Sequence, residues 1–277
     1  MPLIAMTREM GSLGKDVAKG VADALGIPVL HHEIIEPLAD KMRLRKSHVI
    51  KLLEGQPSFF ERLTADHTSL CIYTADETFS LASKDAGAIL RSWGAANLLR
   101  PVAHVVCVRV CAPKPLRIER MQARMKTSDE SLARREVESN DEAHAAIVRR
   151  HFGVDWWDAE QYDLVLNTER VSIDECVDTV LRHVRHPDFQ ETPASHAKLE
   201  NLRLEAHVRS ALRQAPATRT IRIAISADQG RIKLEGVVDT SADKRAVADV
   251  AAAVPGVTDV TNDLIVLAER HTHHREG

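Results

Sequence analysis

Gly11, Ser12, Leu13, Gly14 and Lys15 follow one another as GSLGK, between the apolar run LIAM and the helix-period stretch GKDVAKGVADAL. A phosphate needs backbone N–H groups converging on it, and glycines let the chain approach closely enough to supply them. In a strand-to-helix turn, exposed amides, the positive helix end and the Lys15 ammonium all point at one anion. The usual phosphate-loop pattern, G-x-x-x-x-G-K-S/T, is incomplete: Glu9 holds its first position and Asp16 its last. The residues alone fit a phosphate cradle or a glycine-containing turn with an exposed lysine. Further on, Arg117, Arg120 and Arg124 recur at i, i+3 and i+7, so they share a helix face, while Ile118, Met121 and Met125 serve another. Phosphoryl transfer requires cations around the transferred oxygens, and the arginine fork suits them. Arg134 and Arg135 begin the next helical stretch, within reach of a mobile lid. The alternative for these arginines is a solvated basic face.

Such residues need a frame. Short apolar runs alternate with helical patterns through the first two-thirds of the chain. LIAM, IPVL, AGAIL, AHVVCVRV and YDLVLN read as strands. GKDVAKGVADAL reads as a helix with its apolar face at Val17, Val21, Ala24 and Leu25, and SIDECVDTVLRHV as one capped by Ser172. Residues 32–85 look mostly helical, with a break near EGQPSF. Near-continuous apolar strands separated by helices predict an α/β fold, a parallel sheet with helices on both faces.

RHPDFQETPASHAKLE carries two prolines and no periodicity, so residues 186–198 read as a linker after a first domain of residues 1–185. The rhythm then changes. A helix, LENLRLEAHVRSALRQ, leads to alternating TIRIAIS, a QGR turn and alternating IKLEGVV. The helix SADKRAVADVAAAV and the strand TDVTNDLIV complete an α+β module over 199–267, followed by a tail at 268–277.

Composition narrows the partners. Of 277 residues, 44% are apolar and 28% charged, with a net charge of −3, which supplies no basic field for nucleic acid. No apolar run approaches the ~20 residues of a membrane span, and the first residues lack a signal-peptide core, so a cytoplasmic protein is expected. Cys107 and Cys111 on one strand would sit ~13 Å apart, too far for a bridge. Free thiols are expected at all four cysteines, Cys71 and Cys176 included. His31, His32 and Glu33 suggest a metal pair only weakly, since adjacent helical residues do not face each other. Trp156 and Trp157 read as packing under a lid, and HTHHREG as a frayed tail.

MTREMGSLGKDVAKGVADALGIP resembles the opening of the cytidylate-kinase-like family of P-loop proteins, relatives of bacterial CMP kinases. AGAILRSWGAANLL, VRVCAPKPLRIERM and HFGVDWWDAEQYDLVLNTERVSIDECVDTVL resemble, in order, the family's substrate-proximal strand, its arginine helix and its closing segment. The resemblance covers roughly residues 2–185. It implies a P-loop NTPase-type sheet, with ATP held at Arg8, Gly11, Ser12, Leu13, Gly14, Lys15 and Asp16. It implies catalytic cations at Lys15, Arg120 and Arg124, and acceptor or lid residues among Arg91, Trp93, Arg117, Arg134, Arg135 and Asp141. An accompanying Mg2+ would be held by Asp16 through water or by Ser12.

The chain also departs from that family. Trp93 stands where the arginine that meets the acceptor phosphate is expected, with Arg91 two residues away on the same strand face. After Asp141, the family's basic residues are replaced by Glu142, Ala143 and His144. Residues 199–267 resemble a BON domain, a small αββαβ module, with Gly236 and Gly256 suited to tight backbone positions. Equal numbers of basic and acidic side chains there argue against simple attachment to anionic lipid.

The expected function is ATP-dependent phosphoryl transfer to a nucleoside monophosphate, CMP by resemblance. The alternative is a catalytically weak or inactive nucleotide-binding regulator whose C-terminal module binds a small ligand, a lipid surface or a protein partner.

Overall fold

The computed structural model describes residues 2–31, 33–53, 66–84, 87–92 and 94–267, with the backbone alone at 51–53. Expectations for His32, the EGQPSF break, Trp93 and the HTHHREG tail lie outside the described residues. The chain forms two compact units, the first from Met1–Ala65 and Lys84–Ser195, the second from Asp66–Ser83 and His196–Gly277. No helix among the described residues is long and apolar enough to cross a membrane.

The first unit is a parallel sheet of β1 (Leu3–Arg8), β2 (Val29–Leu30), β3 (Ala88–Leu90), β4 (Val105–Cys111) and β5 (Leu164–Asn167), in the order β2-β3-β1-β4-β5. β1 and β4 are buried along almost their whole length, which is why they read as unbroken apolar runs. Around the sheet lie α1 (Gly14–Leu25), α2 (Ile35–Met42), α3 (Lys46–Leu53), α5 (Ala95–Leu99), α6 (Lys114–Met125), α7 (Glu130–Phe152) and α8 (Ile173–Arg185). α4 belongs to the second unit. Val17 and Val21 of α1 and Cys176 and Val180 of α8 share one core with Ile4, Met6, Val108 and Val110 of the central strands. The face of α1 is corrected by a quarter turn. Gly14, Val17, Ala18, Val21 and Ala22 are buried, whereas Ala24 falls at the rim of that stripe and is exposed. Ser172 caps α8 by accepting from the Glu175 amide at 3.2 Å, as its sequence predicts.

The second unit contains α4 (His67–Ala82), α9 (Pro193–Gln214, shared with the end of the first unit), β6 (Ala224–Asp228), β7 (Arg231–Val238), α10 (Ser241–Ala252) and β8 (Asp259–Val266). β6 and β7 form an antiparallel hairpin, and β8 pairs parallel to β7 after α10. Gln229 and Gly230 close the hairpin with φ of 49° and 87°, as a two-residue turn of this twist requires. The core gathers Leu204, Val208, Ile232, Leu234, Val247 and Leu264.

Three expectations change here. The linker is shorter than 186–198, because α9 begins at Pro193. Thr192 and Ser195 exchange side-chain-to-amide hydrogen bonds of 3.0 and 3.1 Å, and proline suits a first helical position, so the proline read as a breaker is a starter. The strand read from TIRIAIS begins only at Ala224. Opposite Ile223 stands Gly236 at φ 141°, where the regular ladder ends. Finally, the span 1–185 is interrupted in space: Asp66–Ser83, inside that stretch of sequence, folds with the C-terminal module.

Candidate functional site

The GSLGK turn leaves β1 at the carboxyl end of the sheet, where the strand order reverses, the usual place for a ligand crevice in such sheets. Gly11 adopts φ 81°, and a Cβ there would meet the backbone oxygen of Arg117 at 2.6 Å. A Cβ on Gly14 would meet Arg8 Cβ at 2.6 Å. Leu13, at φ 61°, holds a left-handed conformation that costs a non-glycine residue on the order of 1 kcal/mol or more, and strain of this kind collects at ligand clamps. Ser12 is fully buried, and its Oγ has no hydrogen-bond partner among the described residues.

The loop carbonyls are tied back one by one. Arg117 Nη1 donates to Met10 O at 3.2 Å, Arg120 Nη1 to Gly11 O at 3.3 Å, and Thr168 Oγ1 to Ser12 O at 2.8 Å. A planar peptide points its N–H opposite to its C=O. The N–H groups of Gly11 and Leu13 are therefore turned away from these anchors, while that of Ser12 donates to Glu9 O at 3.2 Å.

Beneath the loop is a buried ion network. Glu9 Oε1 accepts from Arg109 Nη2 at 2.5 Å, and Glu9 Oε2 lies 3.3 Å from Arg117 Nε. Arg117 also donates to Asp141 Oδ2 at 2.8 Å and to Ala112 O at 2.9 Å. Two guanidiniums face two carboxylates. Burial still pushes the Asp141 carboxyl above its ordinary value, against the opposing pull of Arg117.

This arrangement sorts the site residues expected from sequence. Arg117, only 4% exposed, faces the interior and not a bound phosphate, and Asp141 is its partner inside the protein. Arg120 is half-buried and donates to Thr168 O at 2.9 Å as well as to the loop, so it too holds the cradle. Lys15 and Asp16 are exposed in the first turn of α1, Arg8 is half-buried at the end of β1, and Arg124 is exposed one turn beyond Arg120. Arg134 and Arg135 are exposed and bond within their own helix, to Glu130 and Ser131. Arg91 follows β3 with its Nε buried and unpartnered, and burial lowers the pKa of its guanidinium. Trp93 lies outside the described residues. Trp156 is buried and donates to Thr7 Oγ1 at 3.1 Å, whereas Trp157 is 39% exposed.

Sequence reasoning missed Glu9, Arg109 and Thr168 as parts of the site. Glu9 stood out only as a missing glycine; a charge between a buried strand and a tight turn was the available signal. His144, seen as a departure, stacks 5.4 Å from Trp156, and burial, with help from the Arg8 charge, lowers its pKa to about 4. The imidazole of His31 bonds Arg91 O at 2.7 Å and its backbone N–H donates to Glu33, so it takes part in holding that turn. All four cysteines are free.

Triphosphate and Mg2+ fit the residues present. The orphaned Ser12 Oγ is what a phosphate oxygen or a metal-bound water would satisfy. Among the described residues no three His, Cys, Asp or Glu side chains converge, so Mg2+ here would take most of its oxygens from phosphate and water.

Within the second unit, a pocket of about 510 Å3 is lined by Asp76, Arg203, His207, Val250, Val254 and others. Comparison with known proteins adds the following. Residues 3–170 match the cytidylate kinase-like family and residues 201–268 the BON domain. A cytidylate kinase of Pyrobaculum islandicum is 26% identical over 185 residues, which cover 66% of this chain and 93% of that protein. One of Pyrobaculum neutrophilum is 27% identical with the same coverage. Among solved structures, an uncharacterized protein from Eubacterium ventriosum superimposes with a TM-score of 0.53 at 19% identity, over 66% of this chain and 97% of that one, a likeness of fold.

Proposed function

This chain belongs to the cytidylate kinase-like family, and from that premise we propose that it transfers the γ-phosphoryl group of ATP to a nucleoside monophosphate, CMP being the acceptor suggested by its relatives. Family membership supports nucleotide phosphotransfer as the general chemistry, with ATP and Mg2+ as its usual requirements. The observation that carries the proposal is the loop itself: three successive carbonyls tied back around an orphaned, buried Ser12 hydroxyl. The loop amides cradle the donor phosphates while Lys15 neutralises their charge. An oxygen of the acceptor phosphate attacks the γ-phosphorus, the bond to the bridging oxygen breaks, and ADP leaves. Mg2+ bound with the nucleotide supplies positive charge, with Ser12 and Asp16 the residues that would hold it. Arg91 is the cation at hand for the acceptor phosphate. Leu90 pairs with Ala5, so Arg91 leaves the sheet shortly before β1 reaches its loop. Arg8, Arg124, Arg134 and Arg135 are the exposed or half-exposed cations left to close over the transferred group. Such chemistry places the protein in the cytoplasm, where its nucleotides are.

The test is ADP formation by the full chain with Mg-ATP and each of CMP, dCMP, UMP and AMP. Turnover preferring one acceptor, lost about 10³-fold in Lys15→Ala, is expected; turnover unchanged by that substitution would overturn the assignment. The pocket of the C-terminal unit favours a second reading, a nucleotide-binding regulator that senses a small ligand. ATP binding without turnover for any acceptor would select it.

A further inference from the structure

α4 is continuous in sequence with the first unit but folds with the second. The chain leaves the first unit at Asp66, forms α4, and returns at Lys84 to enter β3 and then Arg91. α9 grips α4 at two points. Arg213 donates to Asp66 Oδ2, the cap of α4, and its Nε donates to Ser69 Oγ at 2.7 Å. Six residues earlier on α9, His207 pairs with Asp76, which is only 3% exposed. The order is reversed between partners, so α4 and α9 run antiparallel. Leu70, Tyr73 and Phe79 of α4 are buried as well. From Ala82 to Ala88 the chain can span at most about 20 Å, so the end of α4 restrains the start of β3. β3 lies beside β1, and its far end carries Arg91.

We propose that the C-terminal unit positions the acceptor side of the phosphotransfer site through α4, with His207 and Arg213 as positioning residues. The inference rests on the function proposed above for Arg91, and it says what the fused module does for that site. Arg213 does not touch nucleotide. It fixes the cap of α4, α4 fixes the approach to β3, and β3 presents Arg91. The donor side hangs on other elements, namely β1, α1, β4 and α6, so its affinity is untouched.

The experiment uses the full chain with Arg213→Ala, Arg213→Lys, His207→Ala and His207→Gln. Hydrogen exchange of peptides covering 67–82, 87–92 and 105–111 is measured beside equilibrium binding of ATP and of CMP, and the kcat and KM for CMP. In the alanine variants exchange rises in 67–82 and in 87–92 but not in 105–111. CMP binding and KM worsen about fivefold or more, a typical coupling between sites, while ATP affinity and kcat stay within about twofold. The Lys and Gln variants recover most of the loss. Exchange that rises in 67–82 with 87–92 and CMP binding unchanged overturns the proposal, as does no rise in 67–82 for either alanine variant. If His207→Ala unfolds because Asp76 is left buried and unpaired, Arg213→Ala decides, since Asp66 remains partly solvated. Should the wild type bind no CMP, the functional reading fails by itself. Exchange in 87–92 then supports the coupling if it rises and overturns it if it does not.

Discussion

Gly11 shows how narrow the tolerances of the loop are. Any side chain there would sit at φ 81° with its Cβ 2.6 Å from the Arg117 backbone oxygen, an atom that cannot swing aside. Gly11→Ala is expected to cost about 1–3 kcal/mol of stability and to weaken ATP binding by tenfold or more, read by urea denaturation and calorimetric titration. His144 gives a pH signature. Its unfolded imidazole takes a proton near 6.5 and its folded one only near about 4, so between these values the unfolded state binds more protons. Stability from this residue is complete above pH 6.5 and falls as pH drops, by about 2 kcal/mol at pH 5. Replacing His144 by Asn should reduce the stability lost between pH 7 and pH 5 by that amount in urea titrations. An equal loss in both proteins would mean that the imidazole is solvated. A neutral His144 in place of a family arginine also removes one cation near Arg8, which leaves more of the acceptor charge to Arg91.

At the scale of elements, the network of Glu9, Arg109, Arg117 and Asp141 joins the end of β1 to β4, α6 and α7. Glu9→Gln keeps the shape and removes one of two negative charges, leaving two guanidiniums to a single carboxylate. Loss of one partner from a buried set costs about 3 kcal/mol or more, so the midpoint of urea denaturation should fall by that equivalent with its slope unchanged. The strands and the helix bounds of α1 were legible because buried parallel strands are unbroken apolar runs and because glycines mark the loop. The orientation of α6 was not. Spacing of i, i+3 and i+7 puts Arg117, Arg120 and Arg124 on one face but does not say whether that face looks at solvent, at a ligand or inward. Burial answers differently for each: Arg117 inside, Arg120 halfway, Arg124 outside. Glu9 was illegible for a related reason. Its carboxylate is tolerable only because two arginines, about a hundred residues away in sequence, meet it in space.

At the scale of the whole molecule, the membership of α4 is the fact that sequence hid most completely. Its buried positions, among them Ser69, Leu70, Tyr73, Asp76 and Phe79, lie on several sides, so no single apolar stripe names the partner. A helix of that kind reads as buried, but not in whose core. The consequence is mechanical. If the second unit unfolds, the 18 residues Asp66–Ser83 become a floppy loop inside the first. Closing a loop of that length costs about 2–3 kcal/mol, a sizeable part of the 5–15 kcal/mol that typically holds a domain together. The two units should therefore not melt independently. Trp156 and Trp157 lie in the first unit, and no tryptophan falls within residues 66–83 or 196–277, so indole fluorescence reports the first unit alone. Leu234, fully buried in the C-terminal core, loses about 2–5 kcal/mol on truncation to alanine. Leu234→Ala is expected to lower the fluorescence-detected urea midpoint together with the one seen by circular dichroism, although the substitution lies in the other unit. A fluorescence midpoint that stays at the wild-type value while circular dichroism records an early transition would mean that α4 leaves its partners without consequence for the sheet. In that case the fused module would be a passenger on the phosphotransfer fold.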